Sequence, residues 1–326
     1  MSNGVQMPAA GLLGYLDGLV ESLRVLLPLA AQADQVEAVH DARVTTRRLG
    51  AALCLFEPVI SRKSGKRAGR LLRSLRRRFG DLRDADVMLE HLAELGRLRG
   101  LARAARWAAG QLRERRAKDL ARLARGERVE RTAGRLAAWQ PLRREIREAQ
   151  SAIPELLSGS LHEQLLAFAS AADALCEKGR RRPTGQAADP HAVRIAGKAL
   201  RYTLEMAREA DHPLPKEILK TFKNMQDALG LWHDYAVLTD HLLRQSRKAG
   251  LAFHDARLLR AVLRLVAETT RRAERHLDEF RQLWSQSGMD IARTIGDLFP
   301  PIARPVKAPV SAGAVTAPGT GPDPAG

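Results

Sequence analysis

Two stretches of this chain carry side chains suited to holding anions. His40, Arg43 and Arg47 stand at i, i+3 and i+7, so on a helix they share one stripe. Moved on by 151 positions, His191, Arg194 and Lys198 repeat that stripe, with Arg48 beside the first set and Arg201 beside the second. Arginine offers paired hydrogen bonds to phosphate or carboxylate oxygens, and lysine offers a movable point charge. The histidines are the members able to change charge near neutral pH.

A charge run on a helix is usually a solvated face, and like charges at helical spacing repel by a few tenths of a kcal/mol per pair. The repetition, cation for cation, weighs against that plain reading. A second rank behaves the same way. Lys66, Arg70, Arg73 and Arg77 lie on one helical stripe, and at an offset of 150 stand Lys216, Lys220 and Lys223, with Asp227 opposite Arg77. Arginine and lysine exchange between the copies, so positive charge is kept rather than a fixed fork. That suits a flexible polyanion better than one rigid ligand.

The helices that must carry these stripes are legible. Val39, Ala42, Thr46, Leu49, Leu53 and Phe56 follow alternating spacings of three and four, and so do Val193, Gly197, Leu200, Leu204 and Ala207; each set is a buried helical seam beside its cationic edge. Asp34 with Glu37 resembles a capping box, and Asp189 before Pro190 reads as an N-cap with proline at the first helical position. A second pair of blocks, Phe79-Gly80-Asp81-Leu82-Arg83-Asp84 and Leu229-Gly230-Leu231-Trp232-His233-Asp234, recurs at an offset of 150. Two linked blocks at nearly one offset indicate an internal duplication.

In chain order, an amphipathic helix at 8–33 precedes the His40 helix, which ends near Pro58. A basic turn at 61–65 leads to the Lys66 helix. Gly80 is expected to stop that helix, with Asp81 and Asp84 capping the next. An arginine-rich helix follows at 101–125. The join between copies falls at 127–160, where Pro141, Pro154 and Gly159 read as breakers. Helices near 161–178, around His191, and over 216–229 and 232–245 follow, and one from 252 to 285 closes the array. Arg180-Arg181-Arg182 begins an exposed basic loop. The expected domain spans 8–298, as repeats of about 8–150 and 155–298, and residues 299–326 read as a disordered tail rich in Pro, Gly and Ala.

Composition narrows the function. A net charge of +17 calls for an anionic partner, whereas only 4% aromatic residues is thin for base stacking on single-stranded nucleic acid. No signal peptide or membrane span is apparent. Cys54 and Cys176 have no ligand spacing and read as reduced thiols of a cytoplasmic protein.

These residues resemble the CHAD (conserved histidine α-helical) domain family, through the H-x-x-R-x-x-x-[RK] helix in two copies and the glycine-then-aspartate block after each. The resemblance covers roughly residues 8 to 290. It implies an all-α fold of two tandem antiparallel four-helix bundles related by a pseudo-twofold axis, with a basic groove between them that binds inorganic polyphosphate. It also implies a lining of His40, Arg43, Arg47 and Arg48 from one half and His191, Arg194, Lys198 and Arg201 from the other. Arg70, Arg73, Lys220 and Lys223 would form the second rank, and Lys66, Arg77 and Lys216, on the same stripes, are candidate binding residues with them. Nothing resembles the acidic E-x-E-x-K strand motif of the CYTH triphosphatase domain sometimes attached to this family, so a stand-alone member is expected.

Polyphosphate offers charge without bases or sugars to read, so cations at helical pitch suffice as a receptor, and binding should weaken steeply with salt. The histidines, among cations, should be neutral when empty and regain a proton on binding. Catalysis is disfavoured. His40-Asp41, His233-Asp234 and His254-Asp255 hint at metal hydrolysis, but Ala192 replaces Asp41 in the second copy, no carboxylate cluster accompanies them, and no phosphate-binding glycine loop is present. The expectation is therefore a non-catalytic binder without cofactor or metal, associated with polyphosphate granules. The alternative is a nucleic-acid-binding, nucleoid-associated protein using the same cations on backbone phosphates.

Overall fold

The computed structural model describes residues 11–32, 35–124, 136–177 and 189–301. Nine helices carry the architecture among these residues: α1 (Gly11–Leu29), α2 (Val36–Leu55), α3 (Arg62–Leu95), α4 (Ala102–Ala124), α5 (Trp139–Glu148), α6 (Ile153–Cys176), α7 (Pro190–Glu209), α8 (Lys216–Lys248) and α9 (Ala256–Leu298). Two single 3-10 turns flank α5, and a four-residue helical turn, Leu251–His254, links α8 to α9. No strand occurs among the described residues.

Both seams are buried as their spacing requires. Val39, Ala42, Leu49 and Leu55 line the inner face of α2, and Val193, Leu200 and Leu204 that of α7. Asp189 caps α7 by accepting from the His191 backbone N–H at 2.9 Å. At the head of α2 the N-cap is Gln35, which makes no side-chain cap bond, and Asp34 lies outside the described residues. Residues 61–65 are not a turn. Ser61 is the N-cap of α3, accepting from the Ser64 N–H, and Glu145 of α5 ties both serines down at 2.7–3.1 Å.

Gly80 does not end a helix. α3 runs through it for 34 residues, and α8 runs through Gly230 for 33. A glycine inside a helix costs about 1 kcal/mol. Leu72, Leu75, Phe79 and Leu82 are all buried around Gly80, and each such side chain contributes about 1.5–3 kcal/mol, so packing wins. Asp81 and Asp84 consequently sit on the body of α3 and cap nothing. Pro154 and Gly159 likewise fail as breakers: proline occupies the first turn of α6, where its missing N–H costs nothing. The last helix reaches Leu298, well past 285. Residues 180–182 and the tail from 302 onward lie outside the described residues.

The apolar interior divides along a line different from the two repeats. One core gathers α1, α2, α5, α6, α7, the first halves of α3 and α8 and the end of α9. The other gathers the second halves of α3 and α8 with α4 and the first part of α9. Three long helices therefore pass through both cores. Where α7 packs on α6 and α8, a Cβ at Gly197 would lie 2.0 Å from the Gln226 amide and 2.9 Å from the Phe168 ring, so any larger residue there must displace these buried side chains.

Candidate functional site: a cationic slot between four helices

The middles of α2, α3, α7 and α8 enclose a cavity of about 170 Å³. Its lining comprises His40, Arg43, Val44 and Arg47 from α2, and Arg83, Asp84, Val87 and Met88 from α3. Arg194 and Lys198 come from α7, and Gly230, His233, Asp234 and Val237 from α8. Each helix contributes at intervals of three or four, because a cationic edge beside a buried seam faces the crevice between neighbours.

The charges do not balance. Five arginine or lysine side chains meet two aspartates in this lining. Arg43 pairs with Asp84 at 3.0 Å. Arg194 is only 8% exposed, and among the described residues neither it nor Lys198 has a carboxylate within ion-pair distance. The Nε groups of Arg43 and Arg194 are buried without a hydrogen-bond partner. Unpaired buried donors are costly, so the slot is held in a state that an anion would relieve.

Titration behaviour follows from the same crowding. Burial, reinforced by Arg47, Arg194 and Arg43, pushes the Lys198 amine down to about 6. Burial and Arg47 lower the Arg194 guanidinium to about 10. His233 falls to about 3 through burial, Arg194, His191 and Lys198, and His40 is lowered by burial and Arg83. Asp234 moves up, because burial outweighs the pull of His91, Arg194 and Lys198.

Of the residues named from sequence, His40, Arg43, Arg47, Arg194 and Lys198 meet in the slot. His191 stands at its rim, exposed, with its ring 5.4 Å from His233. Arg48 and Arg201 are not in the lining: both donate to Glu205, at 2.8 and 3.1 Å. Lys66, Arg70, Arg73, Arg77, Lys216, Lys220 and Lys223 are exposed and outside it, and Lys223 is paired with Asp227 at 2.7 Å. Arg83, Asp84, His233 and Asp234 were missed as site residues, although the repeated glycine block contains all four. The slot is not free of carboxylates, contrary to the expectation of a purely basic stripe. The signal was the recurrence of Asp at the same place in both blocks, and it was hidden by treating glycine as a helix stop.

Among the described residues, no group of three or more His, Cys, Asp or Glu could hold a metal ion, and no helix is long and apolar enough to cross a membrane. Cys54 and Cys176 are free thiols.

Fold and site together define a class: an all-helical protein built around a buried, under-neutralised cationic slot. The sequence model of the CHAD domain matches residues 14–243, and the chain belongs to the CHAD domain family. Its structure is similar to the crystal structure of the CHAD domain from the plant Ricinus communis, with a TM-score of 0.55 and 20% identity, covering 90% of this chain and 92% of that one; the likeness is one of fold. No curated protein matches the chain.

Proposed function

We propose that this chain is a non-catalytic binding module for inorganic polyphosphate, seated in the slot between α2, α3, α7 and α8, and that it brings the protein to polyphosphate granules. The observation that carries the reading is Arg194, 8% exposed and without a carboxylate partner among the described residues. A buried guanidinium is ordinarily paired, so its missing partner is best supplied by a ligand. Phosphate oxygens accept the paired donors that Arg43 and Arg194 leave open. The ligand must also be slim: a slot of about 170 Å³ suits a chain of single phosphates, whereas a duplex presents grooves of which the wider alone is about 12 Å across.

Binding rather than turnover is favoured because phosphoryl transfer draws on metal held by carboxylates, and among the described residues only two aspartates share the slot with five arginine or lysine side chains. A second reading, general nucleic-acid binding, has one observation in its favour, the exposed rank of Lys66, Arg70, Arg73 and Arg77. Competition at physiological salt separates the two. Labelled long-chain polyphosphate should be displaced by unlabelled polyphosphate and not by duplex DNA, single-stranded RNA or triphosphate; equal competition per phosphate by DNA or RNA would move the second reading ahead.

A further inference from the structure

Anion recognition does not account for the carboxylates. Asp84 and Asp234 occupy matching places in the two repeated blocks, one on each long helix, and both come to the slot wall. A site built solely to attract polyanions gains nothing from negative charge in its lining, since each carboxylate repels the incoming phosphates. Neither serves as a helix cap. Asp84 is half-exposed, 49% by side chain, and holds the buried Arg43 guanidinium at 3.0 Å. Asp234 lines the same slot but, among the described residues, forms no ion pair with its cations.

We propose that Asp84 is a resident counter-anion: it occupies Arg43 in the empty slot, and a ligand must displace it to bind. This rests on the polyphosphate reading and adds specificity to it. A single phosphate competing with Asp84 for Arg43 exchanges one anion for another and gains little. A chain presents further phosphates to Arg47, Arg194 and Lys198 at the same time, and only such a ligand gathers enough contacts to overcome the exchange. Asp84 thus sets the shortest chain that binds, and it keeps adventitious small anions out.

Displacement has a second consequence. Each bound phosphate releases its own condensed cation; where it replaces a protein carboxylate no salt anion leaves the protein, whereas with the carboxylate gone a salt anion takes its place and is also released on binding. Removing Asp84 should therefore steepen the salt dependence, which a merely structural residue would not do.

The test is calorimetric titration of the full chain, as wild type, Asp84→Asn and Asp234→Asn, with orthophosphate, tripolyphosphate and long-chain polyphosphate at several salt concentrations, with helicity monitored. The half-exposed Asp84 makes its variant the one expected to fold without difficulty. Asp84→Asn should bind long chains about tenfold more tightly, the weight of one charge interaction of about one pK unit, with a salt slope steeper by about one, whereas Asp234→Asn, which breaks no ion pair, should change affinity less. Measurable tripolyphosphate binding should appear in Asp84→Asn where wild type shows none. If wild type binds long chains and Asp84→Asn binds no more tightly, the counter-anion proposal is overturned and the polyphosphate reading stands. If wild type binds no polyphosphate at any salt, it is the functional reading that fails.

Discussion

Two groups of cations on the same pair of helices have opposite fates. In the slot, Arg194 and Lys198 of α7 face Arg43 and Arg47 of α2 without enough acid to neutralise them. Arg48 of α2 and Arg201 of α7 instead converge on Glu205, at 2.8 and 3.1 Å, and the Arg48 guanidinium is held more firmly protonated. One carboxylate makes the difference. It turns two arginines into a clasp between α2 and α7, whereas its scarcity in the slot leaves charge available for a ligand. Charge type alone therefore does not mark a binding residue; the local balance of partners does.

The largest effect that should sharpen this contrast is at Arg194. Arg194→Ala should weaken long-chain polyphosphate binding about 30- to 100-fold, the equivalent of about 2–3 kcal/mol for lost charge-assisted hydrogen bonds, with circular dichroism unchanged. Arg43→Ala should cost less, because Arg43 already holds Asp84 in the empty slot and only exchanges one anion for another on binding. Exposed Arg115, whose partner is Asp119 at 3.6 Å, is the control, and an equal loss from Arg115→Ala would falsify a localised site.

Lys198→Met should separate stability from binding. In the empty protein Lys198 lies at about 6 against an ordinary 10.5, so between these values the unfolded chain holds a proton that the folded one does not. Stability contributed through this group therefore rises with pH across that window. The methionine variant should melt at a higher temperature, lose that part of the pH slope and bind polyphosphate about tenfold more weakly. A lower melting temperature with full binding would contradict the assignment.

Glu205→Gln tests the other group. Loss of the clasp should destabilise the fold by about 1–2 kcal/mol, the range for partly buried hydrogen bonds to charged groups, as read by urea unfolding. Polyphosphate affinity should stay within about twofold, and a large change would show that the two groups are one site.

The smallest expected effect is protonic. Ligand phosphates should return a proton to Lys198, and in part to His40 and His233, so binding should take up about one proton near pH 7. Affinity should then fall as pH rises from about 6 to 8. Calorimetry in buffers of differing ionisation enthalpy measures this directly, and identical apparent enthalpies in all of them would rule it out.

Much of the slot was legible in the sequence because a repeated cationic edge beside an apolar seam can fall in a crevice between packed helices, as it does for His40, Arg43, Arg47, Arg194 and Lys198. The same spacing at Lys66, Arg70, Arg73 and Arg77 lies exposed, so the spacing by itself did not separate the two stripes. Arg48 misled because its partner, Glu205, is 157 residues away, and no local pattern announces it. Asp84 was visible but read as a cap, since Gly80 shortly before it suggested a helix end, and Asp234 was seen only as part of the repeated block. The burial of Leu82 and Ala85 beyond Gly80, and of Tyr235 and Leu238 beyond Gly230, carries both helices onward. The division of the interior was not legible for a similar reason: α3, α8 and α9 are longer than the apolar blocks suggested, and each serves both cores.

Among the described residues, every one lining the slot lies within α2, α3, α7 or α8, and none comes from the turns at 56–61 and 210–215. An engineer could therefore lengthen, replace or tag those two turns without touching the grip on the ligand. A single inserted residue within α2 ahead of Arg43 is a different matter. It would rotate one part of the stripe against the rest by about 100°, splitting the row of cations while leaving the composition of the protein almost unaltered.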